Sequence, residues 1–438
     1  MRRIIVMNKF FKSVTVALSA ACLAACFAGC GEGEGNKSGS GKLNGDGTEY
    51  QQAFLDPVDQ DKYFVGMCAL TGDTMGGEAE SGSTAEWIAK NNKVLGVKCQ
   101  RVWMHIPNVI ERAANSNELS LKTDMVAKYH RFFEELTENG VERILVMNHQ
   151  FIYPYDYVKV DEGDRQVVIH PIEEAEFYQD WIELYYEAYK LMATEFPEIK
   201  FWEVGNEFDS SPFMRRNDKS AVTEYDMGFI DADLCYAANK ALKEVSSDNA
   251  CVYPGMTGNT RAETTFNYMY QHIEAKRVPT LEEYYLNDPD DYFDIVGVHP
   301  YPDDAGYQTT KRKIESFYAI MCEHGDGEKR MFITEHGSSV SDPADFQDVA
   351  EMIVDCLKQI KQDFPFVETV FYFRMSDRYE KFAPDNLKEN YFGCFYSPND
   401  PVNLGKPKPL AIEFYKFING ENADTAPLYW YYNEQSGN

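Results

Sequence analysis

The sequence predicts an α/β protein whose main domain is a single (β/α)8 TIM barrel. Three observations carry that expectation. From about residue 60 onward, eight short β-rich apolar runs alternate with longer amphipathic segments, and no Gly-x-Gly-x-x-Gly turn follows the first run. Alternating strand and helix patterns argue for a parallel sheet covered by helices, and eight such units argue for closure of that sheet. An open, doubly wound sheet is the main rival, and its dinucleotide-binding form would need the missing glycine turn. A chain of 438 residues, 44% hydrophobic and 14% aromatic, has ample material for one large core.

The chain opens on a targeting signal. Arg2, Arg3, Lys9 and Lys12 form a basic region ahead of the apolar stretch 13–25, which is 13 residues long. That length suits a secretory signal and is too short to span a bilayer. Leu23-Ala24-Ala25-Cys26 then resembles the lipobox of bacterial lipoproteins, in which the cysteine becomes the lipidated first residue of the mature chain. Phe27-Ala28-Gly29-Cys30 follows with a bulkier first position, so Cys26 is the expected lipidation site. Residues 1–25 are read as signal peptide and 26–58 as a flexible tether, because seven glycines in the 17 positions 31–47 leave little apolar surface to bury. The barrel takes residues 59–438.

Within it the strand-like runs are 63–70, 98–106, 142–150, 200–207, 251–256, 293–301, 330–337 and 369–376. Helix-like stretches include 124–139, 173–196, 231–245, 310–324 and 343–363, and 409–418 reads as a closing helix. No composition break follows residue 60, and no room remains for a separate C-terminal β-sandwich. The cysteines at 68, 99, 235, 251, 322, 356 and 394 are scattered singly, with no Cys-x-x-Cys pair. That pattern points to buried thiols more than to a zinc site or a disulfide framework. Lys plus Arg is 42 and Asp plus Glu is 71, a net charge of 42 − 71 = −29, and removal of the leader's four basic residues makes it −29 − 4 = −33. So acidic a chain repels phosphate backbones, which excludes nucleic acid as a partner and favours a neutral ligand.

Active sites of such barrels lie at the C-terminal ends of the strands, so polar residues ending an apolar strand are the candidates. Strand two carries Arg101, Trp103 and His105, all of one parity and hence one face. Strand three ends in Asn148 and His149, strand four in Glu203-Val204-Gly205-Asn206-Glu207, strand six in His299-Pro300-Tyr301 and strand seven in Thr334-Glu335-His336. Glu207 and Glu335 stand apart, because each puts a carboxylate at the end of a hydrophobic strand. Two carboxylates on one rim suit glycoside hydrolysis, in which one protonates the departing oxygen and the other attacks the anomeric carbon. Their environments would have to keep one neutral and the other ionised. No His-x-His or His-Glu-x-x-His spacing occurs, so no metal and no cofactor are expected.

Asn206-Glu207 on strand four and Glu335 on strand seven resemble the retaining glycoside hydrolases of clan A, with families 5 and 39 the nearest in flavour. The resemblance implies that Glu207 is the acid/base and Glu335 the nucleophile. His299 and Tyr301 in GVHPYP match the clan's strand-six pattern, where a tyrosine commonly contacts the nucleophile, and Arg101 matches its strand-two arginine. The architecture covers about residues 60–420, and some dozen positions carry the motif. One departure is plain: many clan members place a tryptophan at the end of strand eight, where this chain has Phe371-Tyr372-Phe373-Arg374.

Competing readings attach to the lesser residues. An Asn-Glu pair alone is uninformative, and only its place on the fourth of eight strands, matched by Glu335 on the seventh, gives it weight. Asn206 reads as a ligand for a sugar hydroxyl, which requires a bulge or turn so that it and Glu207 both face the site. Trp103, Tyr372 and Arg374 join the candidate sugar contacts, while His105, Asn148 and His149 suit packing or sugar contact equally. His336 falls on the opposite parity and reads as packing. Tyr153, Tyr155, Phe213, Tyr391 and Phe392 offer aromatic faces in loops. The whole is expected to be an extracytoplasmic retaining β-glycosidase, membrane-anchored through its lipid or secreted, acting on a carbohydrate substrate. The alternative is a carbohydrate-binding lipoprotein: a two-lobed solute binder, for which no mid-chain hinge is found, or a catalytically silent barrel.

Overall fold

Eight parallel strands close into a barrel in the computed structural model: β1 (Val65–Ala69), β2 (Cys99–Trp103), β3 (Arg143–Asn148), β4 (Phe201–Val204), β5 (Ala250–Met256), β6 (Ile295–Val298), β7 (Arg330–His336) and β8 (Val367–Tyr372). Each pairs with its sequence neighbour, and β1 completes the ring by pairing with β8. A helix follows every strand: α1 (Ala85–Leu95), α2 (Thr123–Glu138), α3 (Ala175–Glu195), α4 (Glu224–Val245), α5 (Thr260–Ala275), α6 (Tyr307–Glu323), α7 (Phe346–Asp363) and α8 (Pro409–Asn419). The structure describes residues 60–69, 83–160, 166–210, 214–275, 292–303, 305–378 and 388–437; the leader, the tether, Cys26 and Phe213 lie outside them.

Two helices, α1 and α5, are additions to those the sequence suggested, and α4 begins at Glu224 where the pattern suggested Asp231. Local signals explain both α1 and α4. Thr84 caps α1 by accepting from the Trp87 N–H at 3.1 Å, and Gly96 ends it at φ +83°. Thr223 caps α4 in the same way through Asp226 N. Inside α4, Gly228 has no Cβ because one would lie 2.6 Å from the backbone of α5 at Thr265 and Met269.

Strand parity divides the core in two. Cys68, Cys99, Leu145, Val252, Ile295, Phe332 and Phe371 point inward and fill the barrel, while Val102, Val146, Trp202, Tyr253, Val296, Ile333 and Val370 point outward under the helices. The Phe371 ring occupies the place where a Cβ on Gly66 would sit. At the N-terminal end, buried Glu368 pairs with Arg143 and, at 2.7 Å, with Arg330. At the opposite end the register slips twice, between Val296 and Val298 and between Ile333 and His336. Such bulges re-aim side chains next to active sites. None of the seven cysteines of the barrel is disulfide-bonded; six are buried and Cys322 is exposed.

Candidate active site

The chain turns sharply where β4 ends. Gly205 adopts φ +104°, and the Phe208 ring fills the space its Cβ would need. Asn206 then bridges to Gly255 on β5, and Glu207 takes φ +47°, a left-handed conformation that a side-chain-bearing residue holds only when its surroundings fix it. The fixing bonds are Glu207 N–H to Gly255 O and Ser210 N–H to Glu207 O, both 2.8 Å. This turn is what lets Asn206 and Glu207 face the barrel mouth together. On β7 the register slip before His336 does the same for Thr334 and Glu335.

Beneath the mouth, Arg101 is fully buried and divides its guanidinium among three acceptors. Its Nε donates to Glu203 (2.6 Å), one terminal nitrogen to Glu335 (2.6 Å) and the other to the Asn206 side-chain oxygen (2.7 Å). The Tyr301 hydroxyl donates to the second oxygen of Glu335 at 2.7 Å. His299 bridges the two rim glutamates: Nδ1 lies 2.9 Å from Glu207 and 3.8 Å from Glu335, and Nε2 lies 3.0 Å from the Thr334 hydroxyl. Its ring passes where Gly255 lacks a side chain, since a Cβ there would lie 2.1 Å from Nε2.

Burial pushes the Glu335 carboxyl up, but His299, Arg101 and the hydrogen bonds from Tyr301 and Arg101 outweigh it, leaving Glu335 below the usual carboxylate range. Burial pulls His299 down, yet Glu335 and Glu207 win and raise it. An ionised Glu335 beside a readily protonated His299 is the resulting charge arrangement. Asp209, buried behind Glu207, is pushed up to about 6 by its dry surroundings. It accepts from both the N–H and the hydroxyl of Thr257.

The mouth opens into a cleft of about 990 Å³ whose lining includes Trp103, Asn206, Glu207, Tyr301, Glu335, Phe373 and Phe392. Phe373 and Phe392 meet edge to face at 5.4 Å, and Phe392 meets Tyr301 at 6.0 Å. These rings form an aromatic wall of the cleft at the end of β8. One donor atom from each of Glu207, His299 and Glu335 falls within 4.8 Å of the others. All three side chains are already bonded to one another, to Arg101, Tyr301 or Thr334, so the set reads as a closed proton network and not as a cation seat.

Several expected contacts fall elsewhere. Asn148 shares the outward parity of Val146 and donates to Met104 O at 2.7 Å, next to Met192 of α3. Tyr372 points into the helix layer, where its ring meets Phe414 of α8 at 5.0 Å and its hydroxyl donates to Phe392 O. Arg374 is buried with its Nε bonded to Ser376 O at 2.7 Å. His105 and His149 pack near each other, 5.9 Å between rings, without lining the cleft. Burial pulls them down to about 4 and about 3, respectively. Of the loop aromatics named above and described, Phe392 reaches the cleft, while Tyr153 bonds Val167 O and stacks on Tyr157. Glu203 and Phe373 are the gains. An acidic residue inside an apolar strand signalled Glu203, but nothing in the apolar stretch Val370–Phe373 signalled which of Tyr372 and Phe373 turns inward.

Residues 240–394 match the family model described as glycosyl hydrolase catalytic core. The matched segment runs from α4 to the loop after β8 and contains His299, Tyr301 and Glu335. Among solved structures, an exo-β-1,4-mannosidase from Opitutaceae bacterium strain TAV5 is similar at TM-score 0.53 and 14% identity, with 89% of this chain and 62% of the mannosidase covered. A family 39 glycoside hydrolase from Bacteroides cellulosilyticus WH2 gives TM-score 0.53 and 14% identity, covering 83% of this chain and 65% of that one. A monomeric β-xylosidase from Caulobacter crescentus CB15 gives TM-score 0.54 and 14% identity, covering 83% and 69%. The chain thus spans less than two thirds of the first two of these proteins, and at such identity the likeness is one of fold. No curated protein matches the chain by sequence.

Proposed function

We propose that the chain is a retaining β-glycosidase in which Glu335 is the nucleophile and Glu207 the acid/base. One observation carries the reading: carboxylate oxygens of Glu207 and Glu335 lie within 4.8 Å of each other. Retaining enzymes hold their two carboxyl groups about 5 to 5.5 Å apart, whereas inverting enzymes leave about 6.5 to 9.5 Å for a water. The partners of the pair supply the division of labour. Glu335, ionised and held by Arg101 and Tyr301, attacks the anomeric carbon while Glu207 gives its proton to the glycosidic oxygen. The covalent glycosyl ester is then broken by a water that Glu207 deprotonates, and Glu335 leaves as a carboxylate. Two inversions restore the β configuration. Trp103, Asn206, Phe373 and Phe392 contact the sugar. By resemblance, and by the names of the mannosidase and xylosidase, the substrates are β-linked glycans such as mannan, xylan or glucan.

The two glutamates are separated by leaving-group dependence, since a poor leaving group needs protonation and the nucleophile is needed always. Glu207→Ala keeps first-step activity on an activated aryl β-glycoside, loses the natural glycan, and with azide yields the β-glycosyl azide. Glu335→Ala is inactive on both, and any azide product is α. An α-azide from the Glu207 variant would reverse the assignment. Wild-type binding of glycans without turnover would favour the carbohydrate-binding alternative.

For location, the lipobox-like Leu23-Ala24-Ala25-Cys26 supports a membrane-anchored, extracytoplasmic enzyme. Cys26→Ala should move the protein from the membrane to the soluble fraction; unchanged fractionation would make Cys30 or another segment the anchor.

A further inference from the structure

Arginine and a carboxylate usually meet side by side, two N–H groups on two oxygens. Arg101 does not. Each edge of its guanidinium goes to a different residue, and the Nε edge goes to Glu203 at 2.6 Å. Glu203 is itself held at both oxygens, because its other one accepts the Gly255 N–H at 3.1 Å. It is wholly buried and absent from the cleft wall, on the strand whose following turn carries Glu207 four residues later. A carboxylate so placed touches no substrate, yet without it Arg101 would be free to rotate into a forked pair with Glu335.

We propose that Glu203 is a positioning residue of this site: it clamps Arg101 so that one nitrogen faces Glu335 and another Asn206, and it shares the arginine's charge with the nucleophile. The inference rests on the glycosidase reading above. The charged and titratable groups facing Glu335 are Cys68 on β1, Arg101 on β2, Glu203 and Glu207 of the fourth strand and its turn, and His299 and Tyr301 of the sixth. Removing the Glu203 charge leaves Arg101 to stabilise Glu335 alone, which makes that carboxylate harder to protonate and a poorer nucleophile.

The test pairs Glu203→Gln with the charge-keeping Glu203→Asp. Coupling of an amine to Glu335 with a carbodiimide, followed by peptide mass spectrometry across pH, reads the protonation of Glu335 without turnover. The Gln variant is expected to move the labelling midpoint down by about half a unit or more, and the Asp variant to leave it in place. On an aryl β-glycoside, kcat of the Gln variant falls about tenfold or more while KM changes less than about threefold. A folded Gln variant with wild-type midpoint and kcat overturns the proposal, as does failure of both variants to fold, which would make Glu203 a residue of the fold alone. Should the wild type turn over no glycoside while the midpoint still shifts, the glycosidase reading fails and the positioning of Glu335 stands.

Discussion

Glu207 at φ +47° is a residue whose backbone is dictated by its neighbours, and Gly255 is the neighbour that dictates most. It accepts from Glu207 N, donates to Glu203, and leaves room for the His299 ring. A methyl group there would lie 2.1 Å from His299 Nε2 and 2.4 Å from the Thr334 hydroxyl. Gly255→Ala is therefore expected to push His299 off Glu207 and to lower kcat/KM by about a hundredfold, the loss typical of an ångström's misplacement. Steady-state kinetics on an aryl β-glycoside, with circular dichroism to confirm folding, checks this; a folded variant within about threefold of wild type would deny the role. Sequence reached Asn206, Glu207, Arg101, His299, Tyr301 and Glu335 because each is polar at an apolar strand end. It could not weigh Gly255, whose contribution is a side chain it lacks.

The strands have two ends with different duties. At the C-terminal end, Arg101 is split between Glu335, which lines a cleft, and the buried Glu203; at the N-terminal end, Glu368 joins Arg143 and Arg330 across three strands and faces no cleft. A buried ion cluster at the N-terminal end of a barrel serves stability, because the active site lies at the other end. Glu368→Ala leaves two arginines without their buried partner, at a cost on the order of 2 to 3 kcal/mol, discounted because both arginines are about a fifth exposed. Thermal or denaturant unfolding should register that loss while kcat on an aryl glycoside stays near wild type. A large fall in kcat at unchanged stability would place Glu368 in the chemistry. Elements were read best where polarity alternates. In β8, Val-Glu-Thr-Val-Phe-Tyr is buried on both faces, so inward and outward residues look alike. That is why Tyr372 was expected in the site and Phe373 found there.

Across the molecule, burial sets the response to acid. His336 is pulled down to about 3 by its dry site, with Lys313 adding to the effect. Between the usual histidine value near 6.5 and that depressed value, the unfolded chain binds a proton that the folded chain refuses, so stability is lost as pH falls through that window. His105 and His149 act in the same direction. Asp209 and Asp377 oppose them: burial pushes both up to about 6, so the folded chain keeps protons that the unfolded chain releases, and stability is gained as pH falls from there toward 4. The diagnostic is thus a difference between proteins. His336→Gln should lose less Tm than the wild type between pH 6.5 and 4.5, by an amount on the order of 2 kcal/mol, or a few degrees. Parallel Tm curves would mean that His336 takes its proton in the folded state.

Composition and periodicity alone determined the eight-unit alternation and the two strand-ending glutamates, because apolar rhythm and misplaced charge are local properties of a chain. Pairing was another matter. That Arg101 reaches Glu203, Glu335 and Asn206 at once, that His299 sits between Glu207 and Glu335, and that Tyr372 and Arg374 turn away from the cleft depends on barrel closure, on the sharp turn after β4 and on single-residue slips of register at β6 and β7. A slip of one residue reverses which face a side chain shows. Where such slips fall is settled by packing against strands that are distant in sequence, so only the tertiary structure decides them.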